Sequence, residues 1–231
     1  MGELLGRVFR SPLMMVIACI EFTSGVLRNG IMQWYFVFAK EVPAMNDIFF
    51  TRNWGISIAV SGMIGGFAAG FLSDKIFQSR RAPPAVLMNV IMVVLLTTML
   101  VLLYRSPTIV GFCAVMMCFA VIGVHSLMSG TAAADFGGRK ATATASGIVD
   151  GFVYLGSGMQ SFAVGYLVKD NDWTYWPLFL LPFAVIGFLL SLKIYWELPE
   201  ATKKYLVEVE NKVIKVRPQR KLWVIFPRIY K

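Results

Sequence analysis

The chain has 231 residues, 57% of them apolar and 15% charged, and a net charge of +9. Soluble domains carry about 25% charged residues, so the composition excludes an ordinary soluble enzyme and points to lipid as the surrounding solvent. The positive charge sits between and after long apolar blocks instead of along one patch, which argues against a nucleic-acid partner.

Six apolar blocks are long enough to cross a bilayer, at about 12–39, 53–73, 84–104, 107–130, 143–168 and 175–198; about 20 residues suffice. Blocks of this length without strict alternation are helices, because a lipid-embedded backbone must satisfy its own polar groups. The predicted fold is all-α: a six-helix transmembrane bundle over 1–200, then a basic tail over 201–231. The opening MGELLGRVFRSP is not a cleavable signal, since its apolar block is too long. Gly6 stands where a myristoylation motif needs Ser or Thr.

The first block contains FTSGVLRNGIMQWYF, with Arg28 near its middle. A guanidinium at that depth costs at least about 2.5–3.5 kcal/mol and should face a bundle interior or a wet cavity. Two partners fit. One is an internal carboxylate, with Asp150 of the fifth block better placed than Glu21, which lies about 10 Å along the same helix. The other is a ligand anion, since the forked donors of arginine match phosphate and never deprotonate.

The second block, SGMIGGFAAGF, repeats glycine at Gly62, Gly66 and Gly70, a face that lets helices approach closely. The loop after it reads GFLSDKIFQSRRAPP. Asp74 and Lys75 close the helix, and Arg80 and Arg81 begin the return, a cluster suited to latching one conformation. His125, the sole histidine, lies in the fourth block and is either a packing residue or a titrating group. The fifth block carries Gly147, Gly151, Gly156 and Gly158. It also places Asp150 and Tyr154 one helical turn apart, on nearly one face. Cys19, Cys113 and Cys118 lack any ligand-like spacing and read as packing residues.

Six spans put both termini on one side. Without the tail, that side has Arg7, Arg10, Lys75, Arg80, Arg81, Arg139 and Lys140, seven basic residues against four (Lys40, Arg52, Arg105 and Lys169). The positive-inside rule then makes the termini cytoplasmic, in a multi-pass inner-membrane protein. The tail, Lys203 to Lys231, is read as solvated, with anionic lipid as the alternative contact.

The loop G-x-L-S-D-K-x-F-x-x-R-R resembles the signature of the major facilitator superfamily between the second and third helices of each half. GVLRNGIMQWYFVFAKEV and RKATATASGIVDGFVYLGSG resemble the first and fifth helices of the C-terminal half in the organophosphate:phosphate antiporters. This likeness covers about 10–200 and implies one half of a twelve-helix transporter. It implies exchange of an organic phosphate for inorganic phosphate by alternating access, and a second six-helix half as partner. By the same resemblance, Arg28 binds the substrate phosphate, with Asp150, Tyr154 and His125 lining the site. Gly70, Asp74, Lys75, Arg80 and Arg81 then belong to the gate. Gln33 departs from the glycerol-3-phosphate transporter pattern, which leaves the organophosphate open. A transporter-like membrane sensor of sugar phosphate, or a non-transporting truncated product, is the second reading. An enzyme is not expected, because no nucleophile or metal constellation is present, and no cofactor is implied.

Overall fold

The computed structural model describes residues 9–46, 48–132, 142–168 and 172–196. The tail from 201, together with Arg7, Arg139, Lys140 and Lys169, lies outside the described residues. Eight α-helices are described: α1 (Pro12–Met32), α2 (Trp34–Glu41), α3 (Phe49–Arg52), α4 (Trp54–Phe71), α5 (Ala82–Leu102), α6 (Pro107–His125), α7 (Thr142–Leu167) and α8 (Tyr175–Lys193). α1 and α2 run on as one membrane-length element with a local break at Gln33. Spans one, two, three, four and six are apolar and long enough to cross a bilayer. The remaining span, α7, has 26 residues and carries Asp150, Ser157, Gln160 and Ser161. The fold is a six-helix integral membrane bundle.

Local chemistry sets the helix ends. Ser11 caps α1 by accepting the Met14 N–H at 3.4 Å, with Pro12 at the first helical position. Prolines also stand in the first turns of α5 and α6. At one end of the bundle α4 and α6 each widen into a π-helical turn, Leu72–Ile76 and Ser126–Ala132. Such turns recur at functional sites because they shift side chains off the regular helical register.

α1 and α6 form the centre of the bundle. α7 packs along α1 and α4 along α6, at the two flanks, while α5 and α8 close the back. The core between them is aliphatic, with Ile17, Ile20, Leu27, Met88, Met92, Leu96 and Met117 fully or nearly fully buried. At the end away from the N-terminus the core turns aromatic. Trp173 packs against Trp34, Phe38 and Trp176, and its indole N–H donates to Glu41 at 3.1 Å. This is an amphipathic anchor of the kind that favours a membrane interface.

Two helix pairs meet backbone to backbone at glycine. A Cβ on Gly25 of α1 would fall inside the carbonyl oxygen of Val153, and one on Gly156 of α7 inside that of Phe22. A Cβ on Gly65 of α4 would strike the Phe119 carbonyl of α6, and one on Gly123 of α6 would stand 3.2 Å from the Gly65 carbonyl oxygen. The repeat read from sequence is therefore only partly the contact face. Gly62 and Gly66 lie against α6 at ordinary van der Waals distance, and Gly70, Gly147, Gly151 and Gly158 meet nothing within 4 Å. Helix crossings are points, and only the glycine at the crossing is compelled to lack a side chain.

Candidate functional site

Arg28 lies close to the midpoint of the α1–α2 span, about 2 Å along the axis from its centre. Its side chain is half-buried. Among the described residues it forms no hydrogen bond or ion pair. Its one polar contact is with a ring: the guanidinium carbon stands 6.0 Å from the centroid of Tyr154 on α7. That contact exists because Gly25 and Gly156 draw α1 and α7 together, which brings Arg28 and Tyr154 to the same side of the seam. A cation over an aromatic face gains about 0.5–2 kcal/mol, too little to offset burial of an unpaired charge in lipid. Tyr154 is 70% exposed on the bundle surface, so the pair is presented outward.

Asp150, one turn from Tyr154, accepts a very short hydrogen bond from the Ser129 hydroxyl on the π-helical turn after α6. The structure therefore gives Asp150 a different partner from the Arg28 pairing weighed in the sequence. His125 is paired as well. Its Nδ1 lies 2.7 Å from Glu21 Oε2, linking α6 to α1. Glu21 is fully buried, and its second oxygen, Oε1, has no hydrogen-bond partner among the described residues. Arg28 and Asp150 both lie within coulombic range of this pair. Three elements thus converge on one polar stripe: Glu21 and Arg28 from α1, His125 and Ser129 from the end of α6, and Asp150 and Tyr154 from α7.

A neutral network continues the stripe along the α1–α7 seam. The Asn29 amide donates to Gln160 Oε1 at 2.8 Å and to Ser161 Oγ at 2.7 Å, and Ser157 donates to the Gly25 carbonyl at 3.1 Å. Behind it, the Trp176 indole donates to the Gly30 carbonyl at 2.7 Å. These bonds fix the rotation of α1 about its axis and therefore the direction in which Arg28 points.

The loop after α4 is a separate site at the end of the bundle. Arg81 donates to Asp74 Oδ1 at 2.6 Å and to Ser73 Oγ at 2.9 Å, and Ser73 donates to the Arg80 carbonyl at 3.1 Å. The turn closes through Gln78 and Ser79, both left-handed at φ 54° and 63°. Arg80 stacks over Trp196, beyond α8, at 5.5 Å. Lys75 is exposed and makes no ion pair with a described residue, so the latch uses Asp74, Arg80 and Arg81. Asp74 is exposed while the Arg81 side chain is largely buried; solvent at Asp74 screens the pair to about 0–1 kcal/mol, and Arg81 keeps its Ser73 bond without the carboxylate. Asp74→Asn is therefore expected to leave thermal stability within about 1 kcal/mol of the parent while changing the rate of any conformational exchange. Equal loss of both would mean the loop is only structural.

No family model matches the chain. Curated relatives do. The chain is 26% identical over 186 residues to a probable hexose phosphate transport protein of Chlamydia trachomatis, covering 78% of this chain and 39% of the relative. It is 25% identical over 174 residues to the membrane sensor protein UhpC of Salmonella typhimurium, covering 74% and 39%. It is 32% identical over 146 residues to sugar phosphate exchanger 3 of Mus musculus, covering 58% and 28%. The chain is a relative of the organophosphate:phosphate antiporters of the major facilitator superfamily. It spans about two fifths of the length of such relatives, and its six helices make one half of the major facilitator fold.

Within that half, the structure brings Arg28, Tyr154, Asp150 and His125 to one stripe, keeps Asp74, Lys75, Arg80 and Arg81 in the distal loop, and places Gly70 in the last turn of α4 before it. Sequence reasoning weighed Glu21 only as a balance for Arg28 and missed Ser129, Asn29 and Gln160 altogether. Glu21 and His125 are 104 positions apart. The one available signal was that each is an ionisable residue inside an apolar block.

Proposed function

We infer that the chain is the C-terminal half of a secondary transporter that carries an organic phosphate across the inner membrane, with both termini cytoplasmic, in exchange for inorganic phosphate. One observation carries this reading: Arg28 holds a full charge at mid-membrane, has no described anionic partner, and is presented outward beside Tyr154. A permanent cation is retained at such depth when something meets it, and guanidinium donors match the oxygens of a phosphoryl group. The names of the relatives point to the same ligand class.

The site is open on this half, so its other wall comes from a second six-helix half. Rocking of the two halves about the anion exposes it to each side in turn, and the Asp74–Arg81 loop acts at the cytoplasmic gate. Asp150 and Tyr154 contact the remainder of the substrate. The relation to a membrane sensor supports a second reading, in which the same pocket binds without flux.

Flux separates the two. Vesicles loaded with inorganic phosphate are expected to take up labelled glycerol-3-phosphate or glucose-6-phosphate when the chain is reconstituted with the N-terminal half of a relative, and not when it is alone. Uptake by the chain alone removes the need for a second half. Binding without uptake in every combination favours the sensor.

A further inference from the structure

The Glu21–His125 pair is not used by the anion contact. Glu21 is buried on all sides, and at 2.7 Å its Oε2 and the imidazole Nδ1 share a hydrogen. A carboxylate so placed is tolerable only while its partner stays. The His125 side chain keeps 26% of its surface exposed, so the ring leads from the buried acid to the surface of the bundle. Nδ1 faces Glu21, which leaves Nε2 as the nitrogen free to gain or lose a proton.

Few other charges bear on the pair. α1 adds Arg28, two turns from Glu21, and Cys19. α6 adds Cys113 and Cys118. α7 adds Asp150, Tyr154 and Tyr166. α4 and α5 have no ionisable side chain, and α8 has only Tyr175 and Lys193 at its ends. Among the described residues of these helices, the permanent positive charge facing the pair is therefore Arg28, and whatever neutralises Arg28 changes the field at His125.

We propose that Glu21 and His125 form a proton-binding site coupled to the anion site at Arg28, in which His125 Nε2 gains a proton from water as a doubly charged phosphoryl group settles on the guanidinium. The Nδ1–H bond to Glu21 persists throughout, so the only change is neutral imidazole to imidazolium. On anion departure the proton returns to water. Coupling of this kind is reciprocal: acid strengthens anion binding by the factor by which the anion strengthens proton binding. The inference rests on the anion reading of Arg28, and its test is built to fail separately.

His125 is the sole histidine, so the full chain labelled with 15N-histidine and held in lipid nanodiscs gives one imidazole spectrum. Sulfate serves as the probe, because it does not titrate near neutral pH and any proton gained belongs to the protein. Saturating sulfate is expected to move the ring towards the doubly protonated form at constant pH. Calorimetry in two buffers of different ionisation enthalpy is expected to count up to about one proton taken up per sulfate. In His125→Gln that uptake is expected to vanish, and in Glu21→Gln the imidazole titration is expected to move from that of the parent. The second variant reads out the pair even if the first folds poorly. Sulfate binding that depends on Arg28 but brings no proton overturns the coupling and leaves the anion site standing. An unmoved imidazole titration in Glu21→Gln overturns the pair. Absence of binding by sulfate and by phosphate, with the unlabelled N-terminal half of a relative present in the nanodisc, overturns the Arg28 reading, and the coupling with it.

Discussion

Arg28→Lys is expected to weaken phosphate binding by about ten- to a hundredfold, from the roughly 1.5–3 kcal/mol that hydrogen bonds to charged groups contribute. Lysine keeps the positive charge and much of the length but replaces a planar fork with a single ammonium. It also loses stacking on Tyr154, where the guanidinium stands 6.0 Å from the ring centroid. Arg28→Gln, which removes the charge as well, is expected to bind more weakly still. The fold is expected to survive both, because Arg28 forms no hydrogen bond or ion pair with the described residues and the Asn29 network holds the helix rotation without it. Equilibrium binding of labelled phosphate to the purified full chain, with helicity and melting followed alongside, checks each part. Unchanged affinity in Arg28→Lys removes the arginine from the site. Lost helicity or a lowered melting temperature assigns it a structural role instead.

The six spans were legible because their signals are local. Each is an apolar block of membrane length bounded by proline, charge or both, and the helices Trp54–Phe71, Ala82–Leu102, Thr142–Leu167 and Tyr175–Lys193 begin within two residues of the expected starts. The loop chemistry of Asp74, Arg80 and Arg81 was legible for the same reason. What the sequence does not reveal is register between helices. Glycine spacing nominated Gly62, Gly66 and Gly70, yet the tight crossing falls at Gly65, because the crossing angle selects the contact point and no single helix contains that information. The π-helical turn over Ser126–Ala132 was equally invisible. It brings Ser129 to Asp150, so the partner of Asp150 was not the one its charge implied.

The seam between α1 and α7 gives the other large expected effect. Gly156→Ala adds one methyl where the Phe22 carbonyl of α1 already stands inside van der Waals distance and the Val26 nitrogen follows at 3.2 Å. A flexible side chain would rotate aside, but a helix backbone moves only as a whole. The cost is therefore expected near the upper part of the roughly 1–3 kcal/mol typical of overpacking. Gly158→Ala, two positions along the same helix, meets nothing within 4 Å and is expected to be neutral or to stabilise by up to about 1 kcal/mol, since alanine favours the helix. Unfolding of both variants in mild detergent measures the difference, and equal stabilities would mean that α1 and α7 do not cross at Gly156. The same substitution bears on the site. Arg28 and Tyr154 meet only because these two backbones touch, and the Asn29–Gln160 bond spans the same gap. Spreading the seam is therefore expected to lower anion affinity in Gly156→Ala and not in Gly158→Ala. A stable Gly156→Ala that binds phosphate normally would separate the anion site from the α1–α7 crossing.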